Sequence, residues 1–231
     1  MTLPKPFFAM LIALGLHHPY SDLPPHLKVL DMGELESSPV GNYLHSMHYL
    51  DTSLKRFFLD LERQGLLDDT IVALYGDHDP NLPFDDTLRQ LAGGMAWNPS
   101  LPFQFDRIPL FVVLPGKPIH GTNPNVGGHV DIAPTLLDLL GVPRPSSFLG
   151  TSLIGPPRTR VAVTVQGRGA EKNLLFMASG DSIPLQGACF AFPSGDSLPR
   201  KQCNKLAKRV LEELEVSESV VLHDLVPELA Q

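Results

Sequence analysis

Ile71-Val72-Ala73-Leu74-Tyr75-Gly76-Asp77-His78 is the stretch on which the reading of this 231-residue chain turns. A short apolar run dominated by β-branched and aromatic residues predicts a strand buried on both faces. Gly76 then frees the backbone, and an acid and an imidazole stand side by side at the strand's carboxyl end. Ligands of open α/β sheets gather outside such ends, so the stretch predicts both the fold class and the place of the chemistry.

Upstream, Asp68-Asp69-Thr70 turns the chain into this strand out of a long helix. Ser38 is placed as its N-cap and Pro39 as its first residue. Val40, Leu44, Met47, Leu54, Phe58 and Leu61 recur at helical spacing, and Gly65 is placed to end the helix after about 40 Å. Earlier still, Phe7 to Leu16 reads as another core strand, closed by His17-His18-Pro19. Lys5 and the apolar run after it imitate a signal peptide, but no small-residue cleavage site follows. The run is also shorter than the roughly 20 residues a bilayer requires.

Downstream lies an irregular stretch rich in Pro, Gly and Asn, and then Ile108 to Leu114 as a third strand before Pro115-Gly116. Asp131 caps a helix from Ile132 to Leu140, closed by Gly141. Strands alternating with helices predict an α/β fold, a mainly parallel sheet flanked by helices, over residues 1–157. Beyond Pro157 the pattern changes. Val161–Val165, Leu174–Met177 and Gly187–Phe192 read as short strands in meander order, followed by an amphipathic helix from Lys201 to Leu214. Residues 158–231 are therefore expected to form a small antiparallel subdomain.

The apolar fraction of 43% is enough for a substantial core, while a net charge of -7 and the lack of a basic run exclude a nucleic-acid partner. Cys189 and Cys203 are spaced to close a short loop; two thiols in a reducing compartment are the alternative.

Several side chains are candidates for chemistry. Asp77 and His78 combine a hard carboxylate with a borderline imidazole, a pair that suits Mn²⁺, Zn²⁺ or Mg²⁺ holding a phosphate oxygen. The plainer alternative is a turn in which Asp77 caps backbone amides. His17 follows the first strand. His48 lies inside the long helix with His45 and Asp51 one turn away, where Asp51 could raise its basicity. His129, before the Asp131 helix, could face an anion together with free amides. His18, His26, His120 and His223 carry no such pattern. Serine-hydrolase elbows, Walker loops and dinucleotide fingerprints do not occur.

Taken in order, these segments resemble the lipoteichoic acid synthase-like phosphoglycerol transferases of the sulfatase and alkaline phosphatase superfamily. The shared motifs are His17-His18-Pro19-Tyr20, Met47-His48-Tyr49-Leu50-Asp51 with Phe57-Phe58, and Gly65-Leu66-Leu67-Asp68-Asp69-Thr70. Tyr75-Gly76-Asp77-His78, Ile108-Pro109-Leu110 and the block from Gly128 to Gly141 complete the set. The resemblance implies a partial alkaline phosphatase-like fold and one divalent metal, Mn²⁺ by analogy, with Asp77 and His78 among its ligands. It implies substrate-lining roles for His17, His48 and His129, with His48 and His17 as catalytic candidates and His48 assisting proton transfer. The substrate would be a phosphoglycerol-bearing lipid or glycan, outside the cytoplasm and at the membrane. In such enzymes a threonine attacks a phosphodiester and is phosphorylated in turn. That threonine and a metal-binding carboxylate are expected upstream of the His-x-Pro motif, together with membrane helices. None is found in the sixteen residues before His17, so the chain is expected to be a C-terminal portion. Two alternatives stand beside this: an inactive remnant serving as a binding module, and part of a sulfuric ester hydrolase. His129 is compatible with the latter, but neither cysteine sits in a Cys-x-Pro-x-Arg context.

Overall fold

The computed structural model describes residues 4–94, 96–116, 121–155, 160–180 and 186–229. The boundary expected at Pro157 lies outside the described residues. The chain divides into two compact units, Met1–Ala96 with Ile108–Ile119, and Trp97–Arg107 with His120–Gln231.

The first unit is built around α1 (Pro39–Arg63), 25 residues long. Its start is as the sequence implies: Ser38 Oγ accepts from the Gly41 amide at 2.9 Å and Pro39 opens the first turn. Gly65 lies just beyond the end with φ of 65°, the left-handed conformation that a chain leaving a helix requires and glycine adopts freely. His45 is buried on this helix, and its Nε2–H donates to Glu36 at 3.2 Å.

β1 (Val72–Tyr75) pairs with β2 (Leu110–Val113), with Val72 opposite Val113 and Tyr75 opposite Leu110. The pairing is antiparallel, whereas a parallel sheet was expected. A parallel pair needs a crossover that brings the chain back to its starting end. The segment between these strands carries instead two short helices, α2 (Asp86–Leu91) and α3 (Leu101–Phe105), the second belonging to the other unit.

The first expected strand does not form either. Residues 4–13 take part in no ladder, and Phe8, Leu11 and Ile12 are more than 70% exposed. Apolar content alone does not make a strand; neighbours on both sides must supply hydrogen bonds and cover. Among the described residues, the buried apolar side chains of this unit are Tyr20 and Val40.

The second unit holds a five-stranded antiparallel meander in the order β3-β4-β5-β6-β7. Its strands are β3 (Ala162–Val163), β4 (Arg168–Glu171), β5 (Leu174–Ala178), β6 (Gly187–Ala191) and β7 (Ser197–Leu198). Period-two alternation sorts its side chains. Phe176 and Cys189 face α5 (Asn204–Leu222), packing with Cys203, Leu206, Ala207 and Val210. Leu175, Ala170 and Phe190 turn to the opposite face and meet Phe103 of α3. Gly169 allows α5 to approach: a Cβ there would lie 2.2 Å from Val210.

Cys189 and Cys203 form a disulfide that ties β6 to the 3₁₀ turn Arg200–Cys203 leading into α5. Ion pairs join Arg168 to Asp106 at 3.0 Å and Arg209 to Glu171 at 3.2 Å. Before β3 lies α4 (Ile132–Leu139), and a short α6 (Val226–Leu229) follows α5. No helix among the described residues is long and apolar enough to cross a membrane.

Candidate active site

The site begins where β1 ends. Gly76 donates to the Pro109 carbonyl at 3.3 Å, carrying the pairing one residue past β1. Beyond it the backbone turns, and the turn is built from its own acids. Asp77 Oδ1 accepts from the His78 amide at 3.0 Å, and Asp79 Oδ1 accepts from Asn81 at 2.7 Å. So the capping role posed as an alternative for Asp77 is present, but it occupies one carboxylate oxygen. The other, Oδ2, stands 3.8 Å from His78 Nε2.

The imidazole of His78 is oriented by its other nitrogen. Nδ1 lies 2.6 Å from the Asp79 carbonyl oxygen. A carbonyl only accepts, so Nδ1 carries the proton and Nε2 of the neutral ring presents its lone pair on the side of Asp77. That bond to Asp79, and then the charge of Asp77, raise the His78 pKa above that of a free histidine. Both side chains are open to solvent, as a site that must admit a ligand requires.

The first His-bearing loop is tied to this turn. His17 Nδ1 donates to the His18 carbonyl at 2.7 Å, which puts the proton of the neutral ring on Nδ1. Two residues on, Tyr20 is 3% exposed, and its hydroxyl donates to the Pro80 carbonyl. The Tyr20 ring meets His18 and Tyr43 edge to face, at 5.8 and 5.2 Å between centroids. Burial is the main cause of its raised pKa, so its hydroxyl stays protonated and able to donate.

His48 lies on α1, half-buried, one helical turn from the buried His45, while Asp51 is exposed. His129 belongs to the second unit, where it opens the 3₁₀ turn His129–Asp131 before α4. Asp131 is 8% exposed and shapes that turn, accepting from Gly128 at 3.0 Å and from Thr151 at 2.7 Å. The structure thus joins Asp77 with His78 directly and links them to the His17 loop through Tyr20. Among the described residues, no group of three or more His, Cys, Asp or Glu gathers as a metal cluster.

Sequence reasoning passed over Tyr20, Asp79 and Pro80. The aromatic at Tyr20 was seen as part of a motif, but a side chain bonded to a carbonyl sixty residues away leaves no local pattern.

Comparison with known proteins bears on the family and the fold. A family model described as Sulfatase matches residues 1–142. Lipoteichoic acid synthase 2 of Bacillus subtilis is 28% identical over 241 residues, covering 97% of this chain and 34% of that protein. The chain thus spans about a third of the length of the curated relatives it matches. Among solved structures, the lipoteichoic acid synthase LtaP from Listeria monocytogenes superposes with a TM-score of 0.71 at 26% identity, over 89% of this chain and 52% of that one. A protein of the alkaline phosphatase superfamily from Vibrio parahaemolyticus shares the fold, with a TM-score of 0.55 at 19% identity over 80% of this chain and 41% of that one. With the family model spanning more than half of its residues and a lipoteichoic acid synthase as its structural neighbour, this chain belongs to the sulfatase family and carries part of an alkaline phosphatase-like fold.

Proposed function

We propose that this chain supplies part of the metal site of a phosphoglycerol transferase that works outside the cytoplasm on a lipid-linked or glycan phosphoglycerol. The observation that supports the reading is the 3.8 Å separation of Asp77 Oδ2 and His78 Nε2. Two donors that each stand about 2.1 Å from one ion lie about 3.4 Å apart at the tetrahedral angle and about 4.2 Å apart when opposed, so the pair could share one ion after a small side-chain rotation. The Asp79 carbonyl supplies the outer hydrogen bond that metal-binding histidines commonly make, which fixes the tautomer. Carboxylate plus imidazole suits Mn²⁺, with Zn²⁺ or Mg²⁺ as alternatives. When bound, the ion would polarise a phosphoryl oxygen and lower the pKa of an attacking hydroxyl.

The remaining roles rest on the resemblance to lipoteichoic acid synthases. His17 lies on a loop tied to the same turn and would hold the phosphoglycerol head group. His48 would assist proton transfer, and His129 would contact substrate. The lipoteichoic acid synthase relatives make a phosphoglycerol lipid the substrate class to test first. The Cys189–Cys203 bridge fits the proposed compartment, because such bonds persist where the surroundings are oxidising.

Calorimetric titration of Mn²⁺ into the chain and into Asp77→Ala tests the reading. Loss of one ligand should weaken binding by at least about tenfold. Equal heats from the two proteins would remove Asp77 as a ligand. A second reading, a binding module without turnover, is favoured by the two-donor set among the described residues. It predicts Mn²⁺ binding with no hydrolysis of a chromogenic phosphodiester.

A further inference from the structure

Tyr20 stands apart from the rest of its unit. It is one of two buried apolar side chains among the described residues there. Its φ of 64° is left-handed, a conformation that a bulky residue keeps only when its surroundings hold it. Asn81, next to the acceptor Pro80, is also left-handed, with φ of 48°. Two of the four non-glycine residues with positive φ among the described residues thus flank a single hydrogen bond. That bond joins the loop after the first apolar segment to the turn after β1. Those two segments carry His17, Asp77 and His78.

We infer that Tyr20 is a positioning residue for the proposed metal and phosphate site, its hydroxyl clamping the His17–His18 loop to the Asp77–Pro80 turn so that both move as one body. The inference deepens the function proposed above and rests on it for the site's chemistry, though the clamp itself is a statement about two loops. The ring alone would fill the space between His18 and Tyr43, and phenylalanine would do that equally well. The hydroxyl adds a contact that reaches sixty residues along the chain, to the carbonyl one residue past Asp79. Asp79 in turn orients His78 through its own carbonyl. A group that touches neither metal nor phosphate therefore sets the relative placement of those that do.

The test uses the full chain and Tyr20→Phe, which keeps the ring, with Tyr20→Ala as the stronger perturbation. Amide hydrogen exchange at Gly76, His78 and Asn81 reads the turn. Removing one net hydrogen bond should speed that exchange by about fivefold in Tyr20→Phe, with amides of β5 and β6 unchanged. A second readout separates positioning from mere support. Mn²⁺ is paramagnetic, and ion held at Asp77 and His78 should broaden the imidazole resonances of His78, His17 and His18 in the wild type. In Tyr20→Phe the broadening at His78 should persist while that at His17 and His18 falls by half or more.

Exchange within twofold of wild type at all three amides in Tyr20→Phe would overturn the clamp. So would equal broadening at His17 in the two proteins. If Mn²⁺ leaves His78 sharp in the wild type, the metal reading fails and the positioning role fails with it. Faster exchange in that case would leave a purely structural tether.

Discussion

Opening the Cys189–Cys203 bridge should destabilise the second unit by about 3 kcal/mol, and the figure follows from where the bridge lies. The two residues are separated by 14 positions. Closing a loop of that length removes about 10 cal/mol/K of entropy from the unfolded chain, or about 3 kcal/mol at room temperature. That is a large share of the 5–15 kcal/mol by which whole domains are ordinarily stable. Both cysteines are essentially fully buried, packed with Phe176, Leu206 and Val210. Reduction leaves both sulfurs in place and so isolates the cross-link, whereas a double alanine substitution adds a void. Urea unfolding followed by far-UV circular dichroism, with and without a phosphine reductant, measures the difference. At about 1.5 kcal/mol per molar urea, the midpoint should fall by about 2 M. The double alanine variant should fall further. Oxidised and reduced midpoints within about 0.3 M of each other would refute the entropic argument and leave the bridge a passive occupant of the core.

Three further outcomes are expected. The bond to Asp79 and the charge of Asp77 raise the His78 pKa, so its imidazole titration by NMR should centre above the ordinary value of about 6.5, and Asp77→Asn should lower the midpoint. A raised folded pKa favours the folded turn below that ordinary value, and the advantage is lost as pH rises through the folded pKa. Metal binding should run the opposite way, failing on acidification because protonated His78 cannot ligate; a midpoint at or below 6.5 would contradict this. Phe176→Ala, at a fully buried site in the larger cluster, should cost about 3–5 kcal/mol in the same urea assay, and a loss under 1 kcal/mol would mean that the cluster does not hold the sheet to α5. Ser38→Ala should cost about 1 kcal/mol in the first unit, read as lost helical signal on heating, since it deletes the bond to the Gly41 amide.

What the sequence disclosed was what local chemistry determines. The Ser38-Pro39 start of α1 was legible because a cap is a matter of adjacent residues. β5 and β6 were legible because their alternating side chains serve two covered faces, and the cysteine pairing was favoured by short spacing. The Asp77-His78 pair was found from its place after an apolar run. Strand partners and directions were not legible. Phe7 to Leu16 is as apolar as any strand of the chain, yet it joins no ladder, because pairing depends on what lies beside it. β4 was missed for the opposite reason: Arg168-Gly169-Ala170-Glu171 has no β-forming residue, and its glycine answers to Val210 on α5. The segment Trp97–Arg107 was read as irregular. It sides with the second unit because Phe103 enters that core and buried Ser100 donates to Pro193 at 3.1 Å.

The uneven sharing of buried apolar side chains bears on how melting data should be read. Tyr20 and Val40 are the first unit's share among the described residues, while the meander and α5 hold two packed clusters and a covalent tie. Such halves need not come apart together, so a single transition temperature would average two events. Circular dichroism of the sheet would still report native structure after the turn bearing Asp77 and His78 had opened, and loss of ligand binding on warming would precede loss of the sheet signal.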